Sequence, residues 1–207
     1  MNQKFITITD LTIAKSLFKS IFVPRPIAWI SSISKDGIHN IAPFSYFNLV
    51  ADSPLMVMFS VTNYHVEGGY KDTLQNIIDC KHFVINLVTH ELFDQMNLTA
   101  QELPKNADEF DHAQLSWLKS GNSNVRRVLQ SPVNIECEFY QTVELPKTDE
   151  TLSNIMVIGT VNKIHIAHHI LDENQRIDYS KMDLVARMGY DKYLKISSDN
   201  LFTRKRK

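Results

Sequence analysis

Two long runs of alternating, β-branched residues, Pro132 to Leu145 and Ser153 to Ile166, are separated only by Pro146 to Thr151. Residues at every second position of an extended chain share a face, so such runs form strands, and a connection this short makes the pair antiparallel. A hairpin of that length does not stand alone, because its outer edges carry unpaired N–H and C=O groups that must recruit further strands or be closed off. Other strand-like runs precede it, at about Pro26 to Ser34, Ile38 to Ala42, Leu55 to Val61 and Phe83 to Val88, the first two flanking a turn at Lys35-Asp36-Gly37. Antiparallel strands in this number predict a mainly β fold with peripheral helices, closed into a barrel.

The helical segments are few. From Asp10 to Phe22, Leu11, Ala14, Leu17, Phe18 and Ile21 fall three and four apart, Thr9 or Asp10 is placed to cap the start, and Pro24 and Pro26 stop the helix. Thr73 to Cys80 reads as a second helix and His90 to Met96 as a short third, capped by Thr89. Thr99 to Asn124 is polar and irregular, an excursion with a short helix near Glu109 to Leu115. The length of 207 residues with 43% hydrophobic residues suits one well-buried domain, 1–207.

Charge excludes some partners. A net charge of −1 with both signs interspersed gives no electrostatic footprint for nucleic acid, and Arg204 to Lys207 reads as a solvated basic end. Met1 to Asp10 lacks an apolar core of signal-peptide length, and no run approaches the roughly 20 apolar residues of a membrane span, so the expected protein is cytoplasmic with no membrane. Cys80 and Cys137 have no metal-type spacing and are expected to be reduced thiols. His165, His168 and His169 read as a solvated strand end, and Asp108, Glu109, Asp111 and His112 as solvated loop charges; no metal site is expected. No Gly-x-Gly-x-x-Gly occurs, so a nicotinamide dinucleotide has no Rossmann unit to hold it.

Two segments can carry chemistry. Lys71-Asp72-Thr73 follows Gly68-Gly69-Tyr70, so a turn leads into a helix start. Asp72 with Gln75 has the spacing of a capping box, which alone accounts for the pair; a lysine, a threonine hydroxyl and free helix N–H groups also suit a phosphate monoester. In the second segment, Ala42 to Asn48, Pro43 restricts the chain after a strand, Ser45 and Asn48 offer hydrogen bonds, and Phe44, Tyr46 and Phe47 supply flat apolar surface. The segment reads either as an aromatic corner closing the barrel or as the wall of a flat heterocycle with polar edges, such as an isoalloxazine. Arg25, held extended between Pro24 and Pro26, is a surface arginine at a strand entrance or a ligand of phosphate or ribityl chain.

Arg25 to Ser31, Gly37 to Asn48, Asp52-Ser53-Pro54 and Lys71 to Thr73 together resemble the flavin reductase-like family of FMN-binding split barrels, which includes flavoredoxin and the reductase component of nitrilotriacetate monooxygenase. The likeness continues through Phe83 to Asn86, Met96-Asn97, Glu109-Phe110, Ser131 to Cys137, Val157 to Val161, Ala186 to Gly189 and Tyr193. It implies a barrel core at about 25–170, a C-terminal segment 180–195 docking near the flavin, and a homodimer. It implies FMN contacts from Arg25, Ala42, Pro43, Phe44, Ser45, Phe47, Asn48, Ser60, Lys71, Asp72, Thr73, Arg187, Gly189 and Tyr193. It also implies hydride transfer from NADH or NADPH, a transient visitor, to flavin N5, with no dedicated catalytic side chain, and with a monooxygenase or redox protein as a compatible partner. A flavoredoxin-like electron carrier and a non-catalytic FMN-binding or sensing module are the other readings that the family allows.

Overall fold

The computed structural model describes residues 4–105, 107–121 and 123–205. Met1 to Gln3, Arg206, Lys207 and the side chain of Leu11, counted above on the helical stripe, lie outside the described residues. The chain runs α1 (Leu11–Ile21), β1 (Arg25–Pro26), β2 (Ala28–Ile33), β3 (His39–Phe44), β4 (Phe47–Asp52) and β5 (Leu55–Thr62). Then follow α2 (Asp72–Cys80), β6 (His82–Asn86), α3 (Phe93–Leu98), α4 (Glu109–His112), β7 (Trp117–Lys119) and β8 (Arg126–Val128). The long hairpin is β9 (Val133–Glu144) and β10 (Asn154–Ile166), and β11 (Val185–Arg187) and β12 (Tyr193–Lys195) finish the sheet structure.

Seven strands form one antiparallel sheet in the order β3-β2-β6-β9-β10-β5-β4. Its two outermost strands, β3 and β4, are joined through Ser45 and Tyr46 alone. A two-residue link cannot span a flat seven-stranded sheet, so the sheet curls until its edges meet, and the seam stays open along β3 and β4. The result is a mainly β split barrel. Register shifts in β10 at Ile158/Gly159 and Val161/Lys163 supply bends that closure needs. At Gly159 a Cβ would stand 2.5 Å from Phe83 Cζ, so no side chain fits where the strand passes that ring.

β2 is buried on both faces. Ala28 and Ile30 join Phe59, Phe83, Ile85 and Val157 inside the barrel, where Leu74 and Ile77 of α2 cover one opening. Ile27 and Trp29 point the other way, into a second core with Ile41, Met96, Phe110 and Val128. Trp29 can be buried there because its Nε1 donates to Thr99 Oγ1 at 2.8 Å. β1, β11 and β12 form a separate small sheet in which Arg25 pairs with Arg187, tying the C-terminal segment to the start of the barrel.

Several sequence expectations need correcting. β4 continues the aromatic segment as a strand, and β7, β8, β11 and β12 were not foreseen. α3 starts at Phe93, later than His90, and Thr89 does not cap it: Thr89 bridges to Leu184 instead. His168–Ile170 is a single 3-10 turn, and His165 does have a carboxylate partner, Glu136 Oε1 of β9 at 2.6 Å. α1 forms, but its apolar side chains Leu17, Phe18 and Ile21 are exposed by 45%, 59% and 70%, so these three pack on no core of their own chain.

Candidate functional site

The site lies on the open seam. Ser45 and Tyr46 turn the chain from β3 into β4, with the Phe44 ring 5.0 Å from Phe59 in the barrel core and Ser60 N donating to Tyr46 O at 2.9 Å. Three adjoining cavities open around this turn.

The first, of about 260 Å³, lies between the turn, the C-terminal end of α1 and residues 187–190. It gathers Lys19, Arg25, Lys71 and Arg187 with the hydroxyl-bearing Ser45, Ser60 and Thr62, and among the described residues none of its lining is acidic. Lys19 is held below the usual lysine range, first by partial burial and then by the like charges of Lys15, Arg25 and Arg187. Positive charge is thus concentrated where it repels itself, an arrangement that an anion relieves.

The cations are fixed by backbone carbonyls. Arg25 Nη1 donates to the carbonyls of Lys19, Phe22 and Met188, the last two at 2.8 and 3.2 Å, and Nη2 donates to that of Gly189 at 3.3 Å. One guanidinium therefore satisfies carbonyls at the end of α1 and pins the C-terminal segment against it. Arg187 Nε donates to Gly189 O at 3.2 Å, while its Nη1 donates to the Tyr193 hydroxyl and its guanidinium lies 4.6 Å from the centre of that ring. Tyr193 stands behind Arg187, edge-on to Phe93, and does not line the cavity; Tyr190 does, with Lys19 Nζ 4.9 Å above its ring. Gly189 contributes its carbonyl. Its φ is not left-handed and a Cβ there would meet nothing nearer than Ser20 Oγ at 3.4 Å, so neither backbone conformation nor close packing requires a glycine here.

A second cavity, of about 130 Å³, shares Pro43, Phe44 and Lys71 with the first and has the opposite character. Asp72, Glu102 and Glu109 line it beside Asn40, His65 and Thr73. Lys71 Nζ is 3.5 Å from Glu102 Oε1. The capping box does not form: Lys71 is the N-cap with no side-chain cap bond, so Asp72 stands one position too late, and Gln75 instead donates to Asp79 Oδ2 at 3.0 Å. Thr73 is buried with its hydroxyl donating to Asn40 Oδ1 at 2.7 Å, which commits its one proton away from the cavity. Burial pushes the Asp72 carboxyl up, against the pull of His65 and Lys105. Glu109, read from sequence as a solvated loop charge, is 7% exposed; burial raises it to about 7, opposed by the N–H groups of Glu109 and Ile41 and by the Asn40 amide.

The third cavity, about 530 Å³, is a groove between Phe18 to Pro26 and Ser45 to Asn48 with Met58. Phe47 lines it and packs on the barrel core, whereas the Asn48 side chain accepts from Leu49 N at 2.9 Å.

Residues 20–183 match the family model described as flavin reductase like domain. The chain belongs to that family. It is 39% identical over 187 residues to an uncharacterized protein of Aquifex aeolicus (strain VF5), with 90% of this chain and 92% of that one covered. The crystal structure of nitrilotriacetate monooxygenase component B from Bacillus cereus matches with a TM-score of 0.86 at 27% identity, over 97% of this chain and 100% of that one. Flavoredoxin of Desulfovibrio vulgaris (Miyazaki F) matches with a TM-score of 0.76 over 99% and 97% of the two chains, at 16% identity, a likeness of fold.

In this flavin reductase-like chain the expected site residues are thus divided. Arg25, Ser45, Ser60, Arg187 and Gly189 meet at the cationic cavity, Ala42, Asp72 and Thr73 at the acidic one, Pro43, Phe44 and Lys71 at both, and Phe47 and Asn48 at the groove. Sequence reasoning missed Lys19, Thr62, Tyr190 and Glu109. A lysine in the last turn of a helix already has a reason to be there, so Lys19 gave no signal of its own. Among the described residues no group of His, Cys, Asp and Glu is arranged to hold a metal, and no helix is long and apolar enough to cross a membrane.

Proposed function

We propose that the protein is an FMN-binding, NAD(P)H-dependent flavin oxidoreductase that works as a homodimer. The observation that carries this is the cationic cavity, where four basic side chains converge with the hydroxyls of Ser45, Ser60 and Thr62, and with no acid among the described residues that line it, beside the Ala42–Asn48 segment. A phosphate monoester satisfies those donors, and in this reading Lys19, Arg25, Lys71 and Arg187 neutralise it while Ser45, Ser60 and Thr62 hydrogen-bond it or the ribityl chain. Tyr193 and the Gly189 carbonyl hold Arg187 in place. Pro43 and Phe44 give the flat apolar wall that the ring needs. FMN, when bound, supplies the redox chemistry by accepting hydride at N5. What remains for the chain is to orient two rings and exclude water. The likeness to nitrilotriacetate monooxygenase component B supports a role in delivering reduced flavin to a monooxygenase.

The exposed apolar stripe of α1 supports the dimer. Leu17, Phe18, Ile21 and Phe22 stand near the groove that opens beside β4, the free edge of the large sheet, where Leu49 and Val50 are also exposed. A second copy laid on this face would cover the stripe and the edge together. Light scattering at micromolar concentration is expected to give twice the chain mass; a monomer that binds FMN fully would contradict it. Mixing the FMN-loaded protein with NADH or NADPH without oxygen is expected to bleach the flavin absorbance in seconds to minutes. A flavin that stays oxidised with both, yet is reduced by dithionite, would rule out the reductase activity and leave the electron carrier.

A further inference from the structure

Within the acidic cavity a buried chain of hydrogen bonds ends at Glu109. Asn76 Nδ2 donates to Ser32 Oγ at 3.2 Å, and the hydroxyls of Ser32 and Thr73 donate to Asn40 Oδ1 at 3.2 and 2.7 Å. Those two donors orient the Asn40 amide so that its Nδ2 donates to Glu109 Oε1 at 2.7 Å. Oε1 is therefore an acceptor, and a proton on this carboxyl sits on Oε2. Glu109 Oε2 is buried and has no partner at hydrogen-bond geometry; the backbone N–H groups of Glu109 and Ile41 favour the ionised carboxyl without reaching that geometry. A buried polar atom left unpaired in an otherwise satisfied network marks a place for a missing partner.

The cavity says what kind of partner. Asp72 and Glu102 repel an anion, and Lys71, which also lines it, is 3.5 Å from Glu102. Pro43 and Phe44 provide an apolar wall continuous with the cationic cavity. We propose that Glu109 in its acid form donates from Oε2 to the carbonyl or carboxamide edge of an uncharged heteroaromatic ring, and so selects and orients that ring in the cavity. This rests on the FMN reading, because the ring belongs either to the flavin whose phosphate fills the cationic cavity or to the nicotinamide that meets it. The other charges near Glu109 leave it the acid that this role needs. Asp111 and Asp108 on α4 face Arg126 of β8 at 3.8 and 2.8 Å, His39 of β3 stacks near Trp117, and Asp72 of α2, 3.9 Å from His65, disfavours a second negative charge. With Glu109 raised to about 7 by its burial, the acid form is well populated at neutral pH.

The test uses the full-length protein freed of flavin, as wild type and as Glu109→Gln. The glutamine side chain keeps an acceptor for Asn40 and a donor that does not titrate. FMN is titrated by fluorescence quenching at pH 7 and pH 9, and a tetrahydronicotinamide dinucleotide, uncharged at the ring and unable to give hydride, is titrated onto the FMN-loaded proteins at the same pH values. Relative to Glu109→Gln, the wild type is expected to lose about fiftyfold in affinity for one of the two ligands on going to pH 9, the loss that binding to the acid form alone requires. A loss for FMN assigns the flavin edge, and a loss confined to the dinucleotide assigns the carboxamide. The same pH dependence in both proteins for both ligands overturns the proposal; tight FMN binding in that case leaves the FMN reading intact, whereas no FMN binding to wild type sinks both. Should Glu109→Gln fail to fold, carbon-13 NMR of the Glu109 carboxyl in wild type decides: a titration midpoint that rises when ligand binds supports the proposal, and one moved by neither ligand overturns it.

Discussion

Replacing Lys71 and Arg187 together by alanine is expected to weaken FMN binding by at least about a hundredfold while leaving riboflavin binding within a few-fold. Each side chain would give the phosphate a charge-assisted hydrogen bond worth roughly 1.5 to 3 kcal/mol, and riboflavin has no phosphate to lose it. Lys71→Ala is the cleaner single change, because Lys71 makes only a loose, partly exposed pair with Glu102, and such pairs contribute little to folding. Arg187→Ala also frees Tyr193 and the Gly189 carbonyl, so its thermal midpoint must be measured beside its affinity. Isothermal titration of both flavins onto each variant reads the effect. Equal losses for FMN and riboflavin would mean that these residues support the fold and hold no phosphate.

The second large effect concerns stability against pH. Glu109 is raised from 4.5 to about 7 by burial, so the folded chain holds this proton more tightly than the unfolded one. The corresponding stabilisation is full below the unfolded value and is lost as pH rises through about 7. Between pH 5 and pH 8 Glu109 is expected to contribute a loss of roughly 2 to 3 kcal/mol of unfolding free energy in the protein without flavin. Asp72, also raised by burial, acts in the same direction. Asp79, Asp149 and Asp178 are held below the usual range by side-chain and backbone donors, so their stabilisation fades at lower pH, whereas His39, lowered first by burial, gives up its proton more easily in the fold and opposes the Glu109 loss within the window. Urea unfolding at the two pH values measures the difference, and Glu109→Gln should remove most of it. The same pH dependence in wild type and Glu109→Gln would show that Glu109 is ionised in the fold at no cost.

What the sequence revealed depended on how local each cause was. The hairpin of β9 and β10 was legible because its alternation runs unbroken for a dozen residues, and α2 because its apolar period and flanking glycines agree. β11 and β12 were not, since three-residue strands carry no period and exist only because β1 offers them an edge. The stripe on α1 was legible as a helix but its exposure was not, because periodicity shows that a face is apolar and not which molecule covers it. Ala42 to Asn48 announced the site through its residue types, yet the cations around it come from α1, β1, the α2 start and β11, brought together at the open seam. Burial of Glu109 depends on Asn40, 69 positions earlier, a pairing that neither segment hints at.

The most direct test is the titration of the unmodified, flavin-free protein with FMN and with riboflavin at neutral pH. One FMN per chain should bind with quenched fluorescence, at least about a hundredfold tighter than riboflavin, because four cations and three hydroxyls act on the phosphate. Failure to quench FMN, or equal affinity for the two flavins, would contradict a phosphate in the cationic cavity and with it the account of this site.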